Sequence, residues 1–189
     1  MNRPVKTYPT IGACGLDCGL CPRYYTAGTS RCPGCCGPDF FNKHPTCSVI
    51  TCCVKKKNLE VCGECPEFPC DKFKDPAEYQ TMDTPSYPPY SKLMSNLNFI
   101  KEHGIKAFIE QQRKRIGLLE TMLENFDDGR SKSFLCRAAA LLDAASLENA
   151  LDEAGRRINA ADTKTRAKTV KETISEIAAK EGVELVKPR

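Results

Sequence analysis

The sequence predicts a small cysteine-rich, metal-stapled lobe followed by an all-α helical lobe, mainly α with little β. Three observations carry that expectation. Twelve of the thirteen cysteines fall between Cys14 and Cys70, and the remaining one is Cys136. Up to Phe73 the apolar side chains are scattered, with no sustained period of two or 3.6, whereas the later chain repeats them at helical spacing. Between the two, Asp83-Thr84-Pro85-Ser86-Tyr87-Pro88-Pro89-Tyr90 is proline-rich, and Pro85, Pro88 and Pro89 forbid a helix interior. The expected organisation is a cysteine-rich metal-binding domain over residues 1–75, a proline-rich connection over 76–91 and a helical domain over 92–189. Tyr87 and Tyr90 are expected to pack across the two halves.

Compartment decides how dense cysteine is read: disulfides in an oxidising environment, metal ligation where thiols stay reduced. Met1 to Ala13 has Arg3 and Lys6 but no apolar run that could serve as a signal peptide. No stretch approaches the roughly 20 apolar residues of a membrane span. Thirteen is also an odd number, which complete pairing cannot satisfy. Reduced thiols in the cytoplasm, binding metal, are therefore expected.

Three pairs carry the two-residue gap that brings both sulfurs of one turn to a single ion: Cys18/Cys21, Cys32/Cys35 and Cys62/Cys65. Gly19, Gly34 and Gly63 stand inside these turns, which suits a tight knuckle. One such pair is a weak signal, and three in a short segment are a strong one. Cys14, Cys47, Cys52 and Cys70 can complete the coordination shells, so ten candidate ligands result. Cys36 and Cys53 each follow another cysteine, and neighbouring side chains point apart, so each doublet is expected to give one ligand to a given ion. Ten thiolates make two four-sulfur sites with a remainder, and twelve make three. Two or three zinc ions are expected, with an iron–sulfur cluster as the alternative, since thiolates accept both. The thiols are expected to converge in groups of four. His44 is a substitute donor, although a lone loop histidine is ordinarily solvated. A structural zinc site contributes about 10–16 kcal/mol at neutral pH, as folding energy. On this reading metal replaces a core that so small a segment lacks.

Cys14, Cys18 and Cys21 form C-x3-C-x2-C, the spacing with which radical S-adenosylmethionine enzymes hold three corners of a four-iron cluster. Those enzymes need a barrel of alternating strands and helices, and here further cysteines and then helices follow. That enzyme class is not expected.

The runs CGLDCGLCPRYY (Cys14 to Tyr25), CPGC (Cys32 to Cys35), CSVITC (Cys47 to Cys52) and CGECPEFPC (Cys62 to Cys70) resemble the prokaryotic domain of unknown function 3795. The later GRSKSFLCRAAALL, Gly129 to Leu142, and the closing amphipathic helix resemble longer members of that family. The resemblance implies a small metal-binding prokaryotic protein of unassigned activity, with the ten cysteines named above as ligands. Cys36 and Cys53 are additions to the pattern.

Helical signals dominate after the prolines. Ser91 can cap a helix carrying Leu93, Leu97 and Ile100, which Gly104 terminates. A longer helix follows, with Ile105, Phe108, Ile109, Gln112, Ile116, Leu119, Leu123 and Phe126 on one face. Its Arg113, Lys114 and Arg115 read as a wet face. Ser131 or Ser133 opens the next helix, through Phe134, Leu135 and Leu142, and Cys136 is expected in the core. Ser146 is expected to cap a short helix with Leu147, Ala150 and Leu151. Asp162 or Thr163 opens the last, with Ala167, Val170, Ile174, Ile177 and Ala178 inward and Gly182 at its end. Val183 to Val186 forms one short strand or docks. Gly129-Arg130-Ser131-Lys132-Ser133 places cations and hydroxyls at a helix start, where amides attract anions. Ordinary capping explains the same residues.

Charge narrows the function classes. The chain has 28 basic and 24 acidic residues. The cysteine segment holds ten of the basic residues against seven acidic ones up to Asp75, a surplus that zinc-bound thiolates would erase. A nucleic-acid-binding zinc module, argued from the knuckles and Lys55-Lys56-Lys57, is the second alternative. The near-neutral charge, the lack of tryptophan and the few aromatics beside the lysines weigh against it. The leading expectation is a zinc-stapled binding module for a protein or small ligand, with metal mainly structural. An iron–sulfur or open-site metal enzyme or redox protein is the alternative. Asp17 and Glu64 are the carboxylates nearest the knuckles, and no catalytic motif is recognised.

Overall fold

A computed structural model describes residues 5–45, 47–73, 84, 87–158 and 162–185. Its helices are α1 (Phe40–Lys43), α2 (Ser48–Ile50), α3 (Leu93–Phe126), α4 (Lys132–Leu141), α5 (Ala144–Arg157) and α6 (Thr163–Lys180). Short 3-10 turns and one π-helical turn, Thr51–Lys56, punctuate the cysteine segment, and no strand occurs among the described residues. The fold is thus mainly helical and cysteine-rich. No helix among the described residues is long and apolar enough to cross a membrane.

Two compact units divide the chain, Met1–Gln112 and Arg113–Arg189. The expected connection over 76–91 lies largely outside the described residues. Its described part, Thr84 and 87–91, falls in the first unit rather than at the division. Helix α3 gives Leu93–Gln112 to the first unit and Arg113–Phe126 to the second. Gly104, at φ 82° and ψ 159°, breaks α3 where glycine was expected to end a helix.

The first unit has an apolar core, which corrects the expectation that metal must stand in for one. Ile11, Leu20, Val61, Leu97 and Ile100 are at most 2% exposed, and Phe40, Ile50, Phe68, Phe73, Phe108 and Ile109 are buried with them. Each full burial of this kind stabilises by about 1.5–3 kcal/mol. The pattern has no period because each loop donates one or two side chains. The continuous face is α3, presenting Leu93, Leu97 and Ile100 at helical spacing.

The loops reach α3 through glycine. A Cβ on Gly15 would lie 2.7 Å from Leu93 O, and one on Gly63 would lie 2.6 Å from Leu97 O. Gly15 also holds φ +90°, which side chains rarely adopt. Asn96 Nδ2 donates to Gly15 O at 2.9 Å, and Lys101 Nζ to Phe68 O at 2.9 Å, so polar groups of α3 finish the seam.

In the second unit α5 packs chiefly on α6, with α4 against both. Leu135, Ala138, Ala139, Leu142, Leu147, Ala150, Ala154, Ala167, Val170, Ile174 and Ala178 are buried, so the periodic faces are the core. Cys136, at 1% exposure, lies in it as expected. The α5 cap is Asp143, not Ser146: the carboxylate accepts the Ser146 N–H at 2.8 Å, and the helix, expected to be short, runs 14 residues. Asp162 caps α6 by accepting from Lys164 and Thr165 N–H at 2.9 and 3.2 Å. Beyond α6, Leu185 is buried without strand pairing and Val186 lies outside the described residues.

Arg115 of the basic run and the amides of the Gly129–Ser131 turn make local structural contacts. Arg115 donates to Ala139 O and Ala140 O at 3.3 and 3.4 Å, satisfying carbonyls at the end of α4. In the Gly129–Ser133 turn, Asp127 accepts the amides of Gly129 and Ser131, and Asp128 accepts that of Arg130. Those amides are spent on the turn itself.

Candidate functional site

The four cysteine motifs are held by backbone hydrogen bonds between loops rather than by regular structure. Gly12 N donates to Leu16 O at 2.7 Å and Gly19 N to Thr10 O at 2.7 Å, closing the loop that carries Cys14 and Cys18. A 3-10 turn, Cys18–Leu20, then sets Cys21, whose N–H meets Cys18 O at 3.3 Å. The second knuckle is clamped at both ends, by Cys32 N to Arg23 O at 3.0 Å and Cys35 N to Pro9 O at 2.8 Å. Cys47 stands at the start of α2 and its sulfur accepts the Ile50 N–H at 3.4 Å. The third knuckle is another 3-10 turn, Cys62–Glu64, tied to the first loop by Cys62 N to Ala13 O at 2.9 Å.

Six of the ten candidate ligands share one cavity. Cys14, Cys18, Cys21, Cys32, Cys35 and Cys47 line a space of about 260 Å³, together with Arg23, Phe40, His44, Ile50, Tyr87 and Tyr90. Cys52, Cys62, Cys65 and Cys70 are not on its wall. Cys62 feels the fields of Cys14 from the first set and of Cys70 from the second. Cys65 lies beside the Lys57 ammonium, which is paired with Glu67 at 2.5 Å.

The expected convergence in fours does not appear. Among the described residues no three His, Cys, Asp or Glu side chains gather at single-ion geometry. All thirteen cysteines are free thiols. The donor set nevertheless suits a thiophilic cation: six sulfurs, one imidazole and no carboxylate among the lining residues. Two of the sulfurs accept backbone N–H groups, Cys47 as above and Cys35 from Ala13 at 3.4 Å, which is the outer support a thiolate needs.

The thiols differ sharply in acidity. Burial pushes Cys14 up to about 12, and burial likewise raises Cys18 and Cys21. Cys35 is lowered to about 6, first by a hydrogen bond from the Cys36 thiol, then by the Lys6 charge and the Ala13 amide. Cys36 is raised by the same bond. It is fully buried and does not line the cavity, so this second member of its doublet supports the first. Cys53, 2% exposed, has the opposite role in its own pair: it accepts from the Cys62 thiol, which lowers Cys53 and raises Cys62.

His44 is on the cavity wall, stacked on Phe40 with ring centroids 4.8 Å apart, and burial lowers its pKa. Tyr87 and Tyr90 line the cavity within the first unit, and Tyr90 also packs on the core shared by the cysteine loops and α3. Arg23 stacks on Tyr87 at 4.9 Å. Both carboxylates near the knuckles are committed elsewhere. Glu64 accepts the amides of Glu60 and Val61, and buried Asp17 accepts from Gln112 Nε2. Sequence reasoning missed Arg23 and the cavity role of the two tyrosines. It also passed over Lys6, which is 4% exposed and has no sequence signal for burial.

Residues 10–75 match the model of a family described as protein of unknown function (DUF3795). No curated protein and no solved structure matches the chain.

Proposed function

We propose, from the cavity that its cysteines line, that the first unit is a metal-binding module with zinc as its resident ion. The observation that carries this reading is the gathering of six sulfurs on one cavity. Two tetrahedral ions need eight ligand positions, and six thiolates fill them when two sulfurs bridge. Such a pair of ions spreads its sulfurs wider than a single tetrahedron does, which agrees with thiols that share a cavity without closing on one point. The residues that would hold it are Cys14, Cys18, Cys21, Cys32, Cys35 and Cys47. Cys52, Cys62, Cys65 and Cys70 supply a four-sulfur set for a further zinc, bringing the total to three ions. The metal's work is cohesion: it adds to the apolar core, backbone hydrogen bonds and glycine contacts that hold the loops.

A second reading, an iron–sulfur cluster, is favoured by one specific feature. The C-x3-C-x2-C run puts three sulfurs on a cavity roomier than a lone ion requires. Free thiols throughout support a reducing compartment such as the cytoplasm. The partner is a protein or a small ligand, and no catalytic role is assigned.

Elemental analysis of anaerobically purified protein tests both readings. About three zinc per chain is the expected result. Iron with acid-labile sulfide and absorption near 400 nm moves the assignment to the cluster. A protein without either metal, and unable to take up Zn²⁺, overturns the proposal.

A further inference from the structure

We infer that Lys6 is the charge-compensating cation of the thiolate centre, a positioning residue that sets metal affinity without touching the metal. The inference rests on the metal-binding reading above and adds a residue outside the cysteine pattern. Lys6 is 4% exposed. Its ammonium donates to Ile11 O, the one hydrogen-bond acceptor it has among the described residues, while its backbone N–H donates to Cys36 O at 3.2 Å. The nearby Glu60 spends its two oxygens on the amides of Thr7 and Tyr8, at 2.7 and 3.0 Å. No described carboxylate stands within ion-pair distance of Lys6.

A buried ammonium with one carbonyl partner is costly unless an anion lies close by. The anions on offer are sulfurs. The charge of Lys6 acts on Cys14, Cys18 and Cys35 of the cavity, and on Cys36 beside them. As neutral thiols these groups give the ammonium little. As thiolates holding two dications, the six cavity sulfurs leave a formal charge of about −2, which one buried cation partly offsets. The backbone bond to Cys36 O fixes Lys6 to the turn that presents Cys35, so the cation travels with the centre.

The consequence is a sign reversal that a merely structural lysine would not produce. In the metal-free chain Lys6 is a liability, and in the loaded chain it is an asset. The test compares full-length wild type with Lys6→Met and Lys6→Arg. Zn²⁺ affinity is read by chelator competition, and the denaturation midpoint is read on the metal-free protein. Lys6→Met is expected to weaken Zn²⁺ binding about 10- to 100-fold, the range seen when outer support of metal ligands is lost. Its metal-free midpoint is expected to stay or rise, and Lys6→Arg to keep most of the affinity. Wild-type Zn²⁺ affinity in Lys6→Met overturns this inference alone. A metal-free Lys6→Met chain that no longer folds makes the residue structural and overturns it equally. Wild type that binds no Zn²⁺ overturns the metal reading, and the role of Lys6 with it.

Discussion

The two units reach a buried interior by opposite routes. In the second, helices present continuous faces, and Leu147, Ala150, Val170, Ile174 and Ala178 meet because their spacing already aligns them. In the first, loops contribute single side chains such as Ile11, Val61 and Phe68 to one helix face. They are held in place by cross-loop backbone bonds and by glycines that touch helix carbonyls. A helical interior is specified locally, whereas a looped one depends on every closure around it. On the metal-binding proposal, cohesion from an ion would therefore matter in the first unit and not in the second.

The largest test of that contrast is removal of metal. A strong chelator is expected to lower hydrogen-exchange protection in the cysteine loops while their apolar core persists, and to leave α5 and α6 unchanged, since structural zinc supplies folding energy where it binds. Equal loss in both units would break the comparison. Next come truncations of the two interiors. Leu97→Ala and Ile174→Ala should each cost about 2–5 kcal/mol in denaturant unfolding of the metal-loaded protein. Leu97→Ala should in addition lower Zn²⁺ retention, and Ile174→Ala should not. A smaller effect is expected at the caps. Asp143→Ala should cost about 1 kcal/mol. The Asp143 carboxyl is held low by the Ser146 amide and hydroxyl, so its contribution is complete above the usual carboxylate value near 3.8 and disappears as pH falls through its depressed one.

Acidity supplies the finest probe. Uptake of Zn²⁺ must displace protons from Cys14, Cys18 and Cys21, so retention should weaken as pH falls, with proton release measurable in weakly buffered solution. In the metal-free chain the sign differs. Cys14 sits near 12 against an ordinary value of 9.0, so its neutral form favours folding fully below 9 and loses that effect as pH rises towards 12. A metal-free midpoint that does not fall between those values would remove burial as the cause.

What the chain reveals before folding follows the same divide. The helices after Ser91, the break at Gly104, the cap at Asp162 and the inward faces of α6 were legible, because period and capping are local properties. The α5 start was misplaced because Ser146 is itself bonded to the true cap, Asp143. In the cysteine segment the knuckles could be read from spacing, but not which sulfurs share a space. That depends on closures such as Cys35 to Pro9 and Cys62 to Ala13, which join residues far apart in the chain. The core of the first unit was missed for the same reason. Leu93, Leu97, Ile100, Phe108 and Ile109 of that core are on α3, outside the segment in which a core was sought.

Gly15 and Gly63 rest against the carbonyls of Leu93 and Leu97, residues four apart and so about 6 Å along the axis. The helix is therefore a ruler. Its pitch gauges the separation between the loop bearing Cys14 and Cys18 and the turn bearing Cys62 and Cys65, and a rigid rod keeps that distance whether or not the sulfurs hold anything.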